Sequence, residues 1–248
     1  MDATVIALLA AGMLVAAFAY ASVGHGGASA YIAAMALAGV APPQMRPIAL
    51  VLNVLVSAIA SYKFYRAGYF GWRLFWPFAV VSVPLAFVGG AILLPGHAYK
   101  ILVGVVLIYA AWQLWLSARA GDEMRTVREP PLPWAMAVGA ALGLLSGLTG
   151  VGGGIFLSPL LLILGWAGTK QTSAVAAPFI LVNSLAGLAG GVTMKTALLP
   201  SYVWILVPAV LVGGWLGAEY GSRRFANPLV RRILAVGLAL AGAKMVFA

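Results

Sequence analysis

Two clusters of glycines interrupt apolar segments of this chain, and their position could create an anion site. The first covers residues 24–27, Gly-His-Gly-Gly, and the second covers residues 150–154, Gly-Val-Gly-Gly-Gly. Runs of glycine break a helix, and broken backbone inside a membrane is tolerated only within protein or beside a water-filled cavity. Short helices that start near Ala28 and Ile155 would then expose free N–H groups and the positive end of a helix dipole, which attract anions.

Glycines in membrane helices also permit close packing, so each cluster has a purely structural alternative. For Gly187, Gly190, Gly213 and Gly217, which have small-xxx-small or similar spacing, we favour packing. For the two clusters we favour a site, because both coincide with related interruptions of apolar segments.

His25 is the most suggestive side chain of the first cluster. An ionisable group inside a membrane bundle is costly and therefore indicates a function. Histidine changes charge near neutral pH, which suits either an anion-binding imidazolium or a proton carrier. The alternative is a neutral histidine that is hydrogen-bonded to the opposing loop.

Hydroxyls and amides near the interruptions complete the predicted substrate-binding site. Hydroxyls, including that of Ser158, could donate to an oxyanion or bond their own backbone. Two asparagines at matching positions could aim an amide N–H at an anion or bond a broken-helix carbonyl. The predicted set is Ser22, Gly24, His25, Gly26, Gly27, Ser29, Asn53, Thr149, Gly150, Gly152, Gly153, Gly154 and Asn183.

Two basic residues, Arg46 and Lys170, precede matching apolar segments. We predict that they draw anions into two vestibules on opposite faces of the protein. Their commoner role would be that of helix-flanking charges at the membrane interface.

The acidic residues argue against a cation pump. The chain has five, and only Glu219 lies within an apolar segment, four residues before Arg223, a spacing that favours a helical ion pair. Without embedded carboxylates a cation or metal transporter lacks its usual ligands, so no metal or cofactor is predicted. No P-loop pattern is present, which argues against ATP hydrolysis.

Composition indicates that the bilayer is the solvent for most of the chain. Hydrophobic residues make up 63% and charged residues 8%, whereas a soluble domain typically carries about 25% charged residues. The mean hydropathy is +1.04. The net charge of +10 is best explained by topology signals and contact with anionic lipid head groups, so nucleic acid is not an expected partner. There is no cysteine, hence no disulfide or thiolate site.

Ten apolar stretches follow one another along the chain. They are residues 3–20, 28–40, 45–65, 71–95, 99–118, 133–148, 154–167, 172–194, 200–221 and 229–247. A membrane span needs roughly 20 apolar residues. The stretches 28–40 and 154–167 are therefore too short to cross comfortably, and 133–148 is marginal.

The two halves of the chain resemble each other. In order, residues 22–27 correspond to 149–154, Val51-Leu-Asn53 to Leu181-Val-Asn183, Pro84 with Gly89-Gly90 to Pro208 with Gly213-Gly214, and Lys100-Ile-Leu102 to Arg232-Ile-Leu234. These matches predict a first membrane repeat at 1–118, a cytoplasmic linker at 119–131 and a second membrane repeat at 132–248. Duplicated, interrupted hydrophobic segments point to a transporter site.

The distribution of Lys and Arg predicts the topology. If each interrupted pair forms a hairpin that returns to its own side, eleven basic residues face the cytoplasm and four face outside, whereas single crossings give eight and seven. The positive-inside rule prefers the hairpins. We therefore predict an all-α polytopic membrane protein with two inverted-topology repeats, each a re-entrant broken helical hairpin followed by three transmembrane helices, suited to alternating access.

The motif Gly150-Val-Gly-Gly-Gly154 followed by Pro159, its echo at residues 24–27 and the two-half layout resemble the TauE/SafE sulfite exporter family. The resemblance implies transport of sulfite, sulfonates or related sulfur-containing anions across the bacterial inner membrane. The first repeat departs from the pattern, since His25 replaces the middle glycine and Ile32 stands where the second repeat has Pro159.

We therefore predict a secondary transporter or uniporter that exports a small anionic solute. Expulsion of a monoanion from a negative interior is favoured by about 2.3 kcal/mol per 100 mV, so a coupling ion is not required. An anion channel is the first alternative. An intramembrane enzyme that uses His25 with Ser22 or Ser29 is disfavoured, because no carboxylate is placed to orient the histidine. Membrane lipids are expected partners, and self-association into a homo-oligomer is left open.

Overall fold

A computed structural model describes residues 2–117, 128–195, 197, 199–223 and 228–247. Over these residues the chain is all-helical, which confirms the predicted all-α class, while the inverted repeats stay a prediction. Much of the predicted linker, residues 119–127, lies outside the described residues, and the boundary between repeats stays a prediction. The helices are α1 Ala3–Ala21, α2 Ala28–Leu37, α3 Pro42–Arg66, α4 Trp72–Ala91, α5 Gly96–Ser117, α6 Leu132–Thr149, α7 Gly154–Ile163, α8 Thr169–Thr193, α9 Val203–Arg223 and α10 Pro228–Phe247.

Seven of these helices are long and apolar enough to span a membrane, namely α1, α3, α4, α5, α6, α8 and α9. By contrast, α2 and α7 have ten residues each. At 1.5 Å per residue each is about 15 Å long, half the thickness of a hydrocarbon core. The prediction that these two segments are too short to cross is confirmed, and the protein is a multi-pass membrane protein.

Two pairs of helices pack through stripes of small residues. Three glycines of α9 face backbone carbonyls of α1 and its C-terminal cap Ser22, and three glycines of α6 face backbone carbonyls of α4. A Cβ added to any of these glycines would overlap the carbonyl that it faces. The pairs are Gly213 with Leu14, Gly217 with Phe18, Gly221 with Ser22, Gly139 with Phe78, Gly143 with Ser82, and Gly147 with Ala86. Their spacing of four residues is typical of membrane helices in close contact. The packing role predicted for Gly213 and Gly217 is confirmed.

The two longest helices, α3 and α8, form the centre of the bundle. The Asn53 side chain of α3 donates from Nδ2 to Ser184 Oγ of α8 over 3.0 Å, and both side chains are fully buried. Further along, Leu50 lies beside Gly187, so the two helices run antiparallel. The two glycine clusters both lie against this pair of helices, because Gly26 and Gly152 contact Asn53 of α3 and Ile180 of α8.

Basic residues gather at one end of the bundle, which we call the basic end and define by Arg66 of α3 and Arg223 of α9. Glu219 forms the predicted ion pair with Arg223 and a second ion pair with Lys63 of α3. The Lys63 ammonium also lies 3.9 Å from the centre of the Trp215 ring. Sequence reasoning missed Lys63 because only tertiary packing brings α3 and α9 together.

Candidate functional site

Glycine is required in both interruptions by backbone conformation. Between α1 and α2, Gly24 and Gly27 have φ values of 75° and 94°. Between α6 and α7, the φ values of Gly150, Gly152 and Gly153 are 83°, 82° and 76°. These left-handed conformations are strained for residues with a Cβ. Each interruption therefore ends one helix and starts a short one, as the glycine clusters predicted.

The two interruptions meet at the middle of α3 and α8. A Cβ on Gly26 would overlap Asn53 Oδ1, and a Cβ on Gly152 would overlap Asn53 Nδ2. The Asn53 amide is thus enclosed between the first and second clusters. The side chain of Ile180 packs against Gly152 and Gly154, so an apolar group fills the space directly between the clusters.

His25 links the first interruption to the short helix of the second. Its Nε2 lies 3.1 Å from the Gly154 carbonyl oxygen and 3.0 Å from Ser158 Oγ. A carbonyl oxygen can only accept, so Nε2 must carry a hydrogen for this contact to be favourable. We conclude that His25 presents an N–H donor at the start of α7, where the helix dipole is positive.

A cavity of about 290 Å³ lies beside His25, between the interruptions and the basic end. Of the predicted site and vestibule residues, Ser22, His25 and Lys170 line it, together with Ser158. The complete lining is Ala19, Tyr20, Ser22, Val23, His25, Gln113, Leu114, Leu116, Ile155, Ser158, Pro159, Leu162, Ile163, Thr169, Lys170, Thr172, Ser173, Gly221 and Leu234. The cavity is therefore alongside the glycine clusters and not directly between them.

Thr172 is a cavity residue that sequence reasoning did not select. Its side chain is 3% exposed, and its Oγ1 has no hydrogen-bond partner among the described residues. A buried hydroxyl without a partner costs about 1–3 kcal/mol. Thr172 is the first residue of the apolar stretch 172–194, and no local signal in the sequence distinguishes it from any other threonine.

Several predicted hydroxyls are occupied within the protein. Ser22 donates to the Ala19 carbonyl over 2.7 Å and Thr149 to the Leu145 carbonyl over 2.6 Å. Both hydroxyls therefore bond their own backbone, which is the alternative to binding an oxyanion. Ser29 donates to Tyr20 Oη over 2.9 Å. These three hydrogen bonds stabilise the helix ends that flank the interruptions.

The two asparagines differ in their contacts. Asn183 donates from Nδ2 to the Phe179 carbonyl of its own helix over 2.8 Å, whereas Asn53 bonds across to α8. In each case the Oδ1 atom is buried and has no partner among the described residues. Neither asparagine lines the cavity.

The free N–H groups expected from the clusters are present but lie apart from the cavity. Among the described hydrogen bonds, the amides of Gly26, Gly27, Gly152 and Gly153 have no acceptor. None of these glycines lines the cavity. Helix α7 lines the cavity along its length, through Ile155, Ser158, Pro159, Leu162 and Ile163.

Arg46 lies toward the end of the bundle opposite the basic end, near the start of α3. Its side chain is buried, and its guanidinium donates to carbonyl oxygens at the end of α4, those of Ile92 over 2.8 Å and Gly90 over 2.9 Å. Nearby, Tyr99 Oη donates to the Thr149 carbonyl over 3.2 Å. Only a small space of about 50 Å³ lies beside Arg46.

Lys170 has a related position at the basic end. Its Nζ donates to the Gly221 carbonyl of α9 over 2.7 Å. Arg46 and Lys170 thus each satisfy carbonyl groups at the C-terminal end of a neighbouring helix, where a cation is electrostatically favoured. Lys170 also places its charge on the wall of the cavity.

Within the part of the chain that the structure describes, no group of three or more His, Cys, Asp or Glu side chains is close enough to hold a metal ion. None of the described acidic residues lines the cavity. The donors on its wall include the imidazole of His25, hydroxyls, the Gln113 amide and the Lys170 ammonium, and these suit a negatively charged ligand.

Comparison with known proteins gives one family. The family model described as "Sulfite exporter TauE/SafE" matches residues 8–245. The probable membrane transporter protein y4hK of Sinorhizobium fredii (strain NBRC 101917 / NGR234) is 42% identical over 241 residues, 96% of this chain and 97% of that protein.

Two further relatives are more distant. The probable membrane transporter protein ORF9 of a Sinorhizobium species is 27% identical over 82% of this chain and 76% of its own length. The probable membrane transporter protein YunE of Bacillus subtilis (strain 168) is 21% identical over 81% of this chain and 78% of its own length. No solved structure matches the chain.

Proposed function

Because this chain belongs to the TauE/SafE family of membrane transporters, we propose that it exports small sulfur-containing anions, such as sulfite or sulfonates, across the bacterial inner membrane. The observation that carries this proposal is the cavity beside His25, which combines hydrogen-bond donors with an absence of acidic residues among those described. The anion is a transported substrate, and the site binds it without altering it chemically.

The anion binds to a small group of donors on the cavity wall. The hydroxyls of Ser158 and Thr172 can rotate toward an oxyanion. The Nε2–H of His25 donates to the Gly154 carbonyl in this state, and it reaches the anion by exchanging that carbonyl for an anion oxygen. Lys170 contributes a formal positive charge while it also caps α9. Hydrogen bonds to a charged partner are worth about 1.5–3 kcal/mol each, so three or four suffice for selective but reversible binding.

The two interruptions supply the framework for alternating access. The pair α1 with α9 and the pair α4 with α6 are the two that an inverted repeat would relate, which supports the predicted repeat. Positive-inside topology puts the basic end in the cytoplasm. The cavity then faces the cytoplasm in this state, and Arg46 with Tyr99 closes the extracellular end.

Efflux from proteoliposomes tests the proposal. Vesicles that contain the purified protein are loaded with radiolabelled sulfite or methanesulfonate, and efflux is followed with and without an imposed potential, negative inside. We expect saturable efflux that a negative interior accelerates, and counterflow of labelled anion, which a channel does not give. Absence of efflux for every sulfur anion at every potential would overturn the proposal.

Thr172→Val separates a role in binding from a role in folding. The variant removes a buried hydroxyl that has no partner among the described residues and keeps the shape of the side chain, so we expect an unchanged or slightly higher melting temperature. Loss of one hydrogen bond to the anion should raise the apparent KM for efflux about tenfold. Thr193→Val, which removes an exposed hydroxyl at the far end of α8, is the matched control. An unchanged KM in the Thr172 variant excludes this hydroxyl from the site.

Arg46→Gln should open the end of the bundle that is predicted to be extracellular. The variant removes the donors to the Gly90 and Ile92 carbonyls, and two lost bonds favour separation of α3 from α4. Since the chain has no cysteine, Thr149→Cys provides a single labelling site near Arg46. We expect a membrane-impermeant maleimide to label it roughly tenfold faster from outside in the Arg46 variant.

The control for this labelling is Arg66→Gln, because Arg66 lies at the basic end and its loss should leave the far end closed. Arg46→Lys should show an intermediate rate, since an ammonium retains part of the bonding. The Arg46→Gln and Arg46→Lys proteins, each with Thr149→Cys, are compared with the Thr149→Cys protein that retains Arg46. If all three are labelled equally slowly, the Arg46 side chain does not hold this end of the bundle closed.

A further inference from the structure

An ion pair joins α9 to α3 near the basic end, and its acid is Glu219. Of the acidic residues that the structure describes, Asp2 and Glu129 lie outside the helices, whereas Glu219 lies inside α9. Its carboxylate pairs with Lys63 of α3 and with Arg223 of its own helix. The Lys63 and Glu219 side chains are 16% and 32% exposed, so water screens their attraction only in part. An ionised carboxylate inside a membrane helix is costly, which indicates a role in function.

The end of α9 beyond Glu219 borders the proposed anion site. Gly221 packs against the carbonyl of Ser22, directly before the first interruption. The Gly221 carbonyl accepts a hydrogen bond from Lys170 Nζ over 2.7 Å, and the Ser222 carbonyl lies 3.4 Å from the same nitrogen. Gly221 and Lys170 both line the cavity. The position of the Lys170 ammonium on the cavity wall therefore depends on where the end of α9 lies.

Contacts along α3 show how this end of α9 is held. Gly214 of α9 packs closely against Val56 of α3. Glu219 and Lys63 follow later along the same two helices, so their ion pair continues this contact toward the basic end. Helix α3 also carries Asn53, which is enclosed between the two glycine clusters. Through Glu219, the end of α9 is thus fixed to the helix that contacts both interruptions.

We propose that Glu219, paired with Lys63, is a positioning residue for anion transport. The pair fixes the end of α9 so that the Gly221 carbonyl holds the Lys170 ammonium on the cavity wall. Neither Glu219 nor Lys63 lines the cavity, so both act through α9 and do not touch the anion. This proposal rests on the proposed function and adds to it a residue outside the binding site. A charge that is held in place binds an anion better than one that must be ordered on binding.

Charge removal and charge exchange test this role in the proteoliposome assay, with labelled sulfite or methanesulfonate as the probe. Glu219→Gln and Lys63→Gln should each raise the apparent KM for efflux roughly three- to tenfold, because Lys170 must then be ordered when the anion binds. The maximal rate per folded molecule should stay at the wild-type value. The variant with both changes should resemble either single variant, since the two residues act as one unit. Exchange of the charges, Lys63→Glu with Glu219→Lys, should restore most of the lost affinity.

Arg223→Gln is the matched control for these variants. Arg223 pairs with the same carboxylate, but its side chain is 78% exposed and belongs to α9 itself. Its removal leaves the ion pair between α3 and α9 in place, so this variant should keep the wild-type KM.

The KM separates positioning from folding. If the ion pair is merely structural, Glu219→Gln and Lys63→Gln lower the melting temperature and the maximal rate but leave the KM unchanged, and that result overturns the proposal. A KM that stays fully raised after charge exchange also contradicts it. Should Glu219→Gln fail to fold, Lys63→Arg, which keeps the charge, is compared with Lys63→Gln, and equal KM values in these two overturn the proposal. Absence of efflux from the wild type rejects the proposed function itself, and this proposal with it.

Discussion

Replacement of His25 by alanine is expected to lower the rate of anion efflux by roughly ten- to one-hundredfold. The variant removes the Nε2–H donor that lies between the Gly154 carbonyl and Ser158 Oγ, at the wall of the cavity. A hydrogen bond to a charged ligand is worth about 1.5–3 kcal/mol, and about 1.36 kcal/mol corresponds to a factor of ten. Initial rates from loaded proteoliposomes measure this effect directly.

Two further variants show whether a change of efflux in His25→Ala reflects loss of an anion-binding donor. His25→Gln retains an N–H donor, so it should keep part of the transport activity, whereas a catalytic base would lose all function. His97→Gln changes an exposed histidine at the start of α5 and should transport as the wild type does. A wild-type rate of anion efflux in His25→Ala would show that the imidazole is not part of the binding site.

Replacement of Gly26 by alanine is expected to abolish efflux and to lower the melting temperature by on the order of 5–10 °C. The added Cβ would overlap Asn53 Oδ1 and press toward Ile180, in the fully packed region where the interruptions meet. Overpacking of a dense interior costs about 1–3 kcal/mol, and each kcal/mol shifts the melting temperature of a chain of this size by about 2–4 °C. Thermal unfolding of the purified variant in detergent measures the shift.

Gly12→Ala is the matched control for Gly26. Gly12 lies inside α1, and a Cβ at this position would meet no atom within 4 Å. Alanine also favours a helix over glycine, so this variant should unfold at the wild-type temperature or slightly above it and should transport normally. A Gly26 variant as stable as the Gly12 variant would show that the interruptions are not packed as described.

The helices could be predicted from the sequence because their signals are local. Apolar length separated the spans from the two ten-residue helices, and the glycine clusters located the starts of α2 and α7 to within a residue. Positive φ at Gly24, Gly27 and Gly150 is the physical reason for those clusters. The ion pair of Glu219 with Arg223 was likewise predictable from a spacing of four.

The details of the site depend on tertiary packing and could not be predicted in this way. The contact of His25 with Ser158 joins residues 133 positions apart. Ile180 fills the space between the clusters, where the sequence predicts an anion bound by backbone N–H groups, hydroxyls, amides and His25, and this moves the candidate site to the adjacent cavity. Nothing in the local sequence marks Thr172 as a hydroxyl without a partner among the described residues.

The central claim, that the anion binds in the cavity beside His25, is tested most directly by filling that cavity. Leu162→Trp adds bulk on the cavity wall, while Leu8→Trp adds the same bulk on the exposed face of α1. Isothermal titration calorimetry would measure binding of the anion that shows the fastest efflux. We predict that the Leu162 variant unfolds at the wild-type temperature yet binds the anion roughly tenfold more weakly or worse, and that the Leu8 variant binds normally. Wild-type affinity in a folded Leu162→Trp protein would contradict the account.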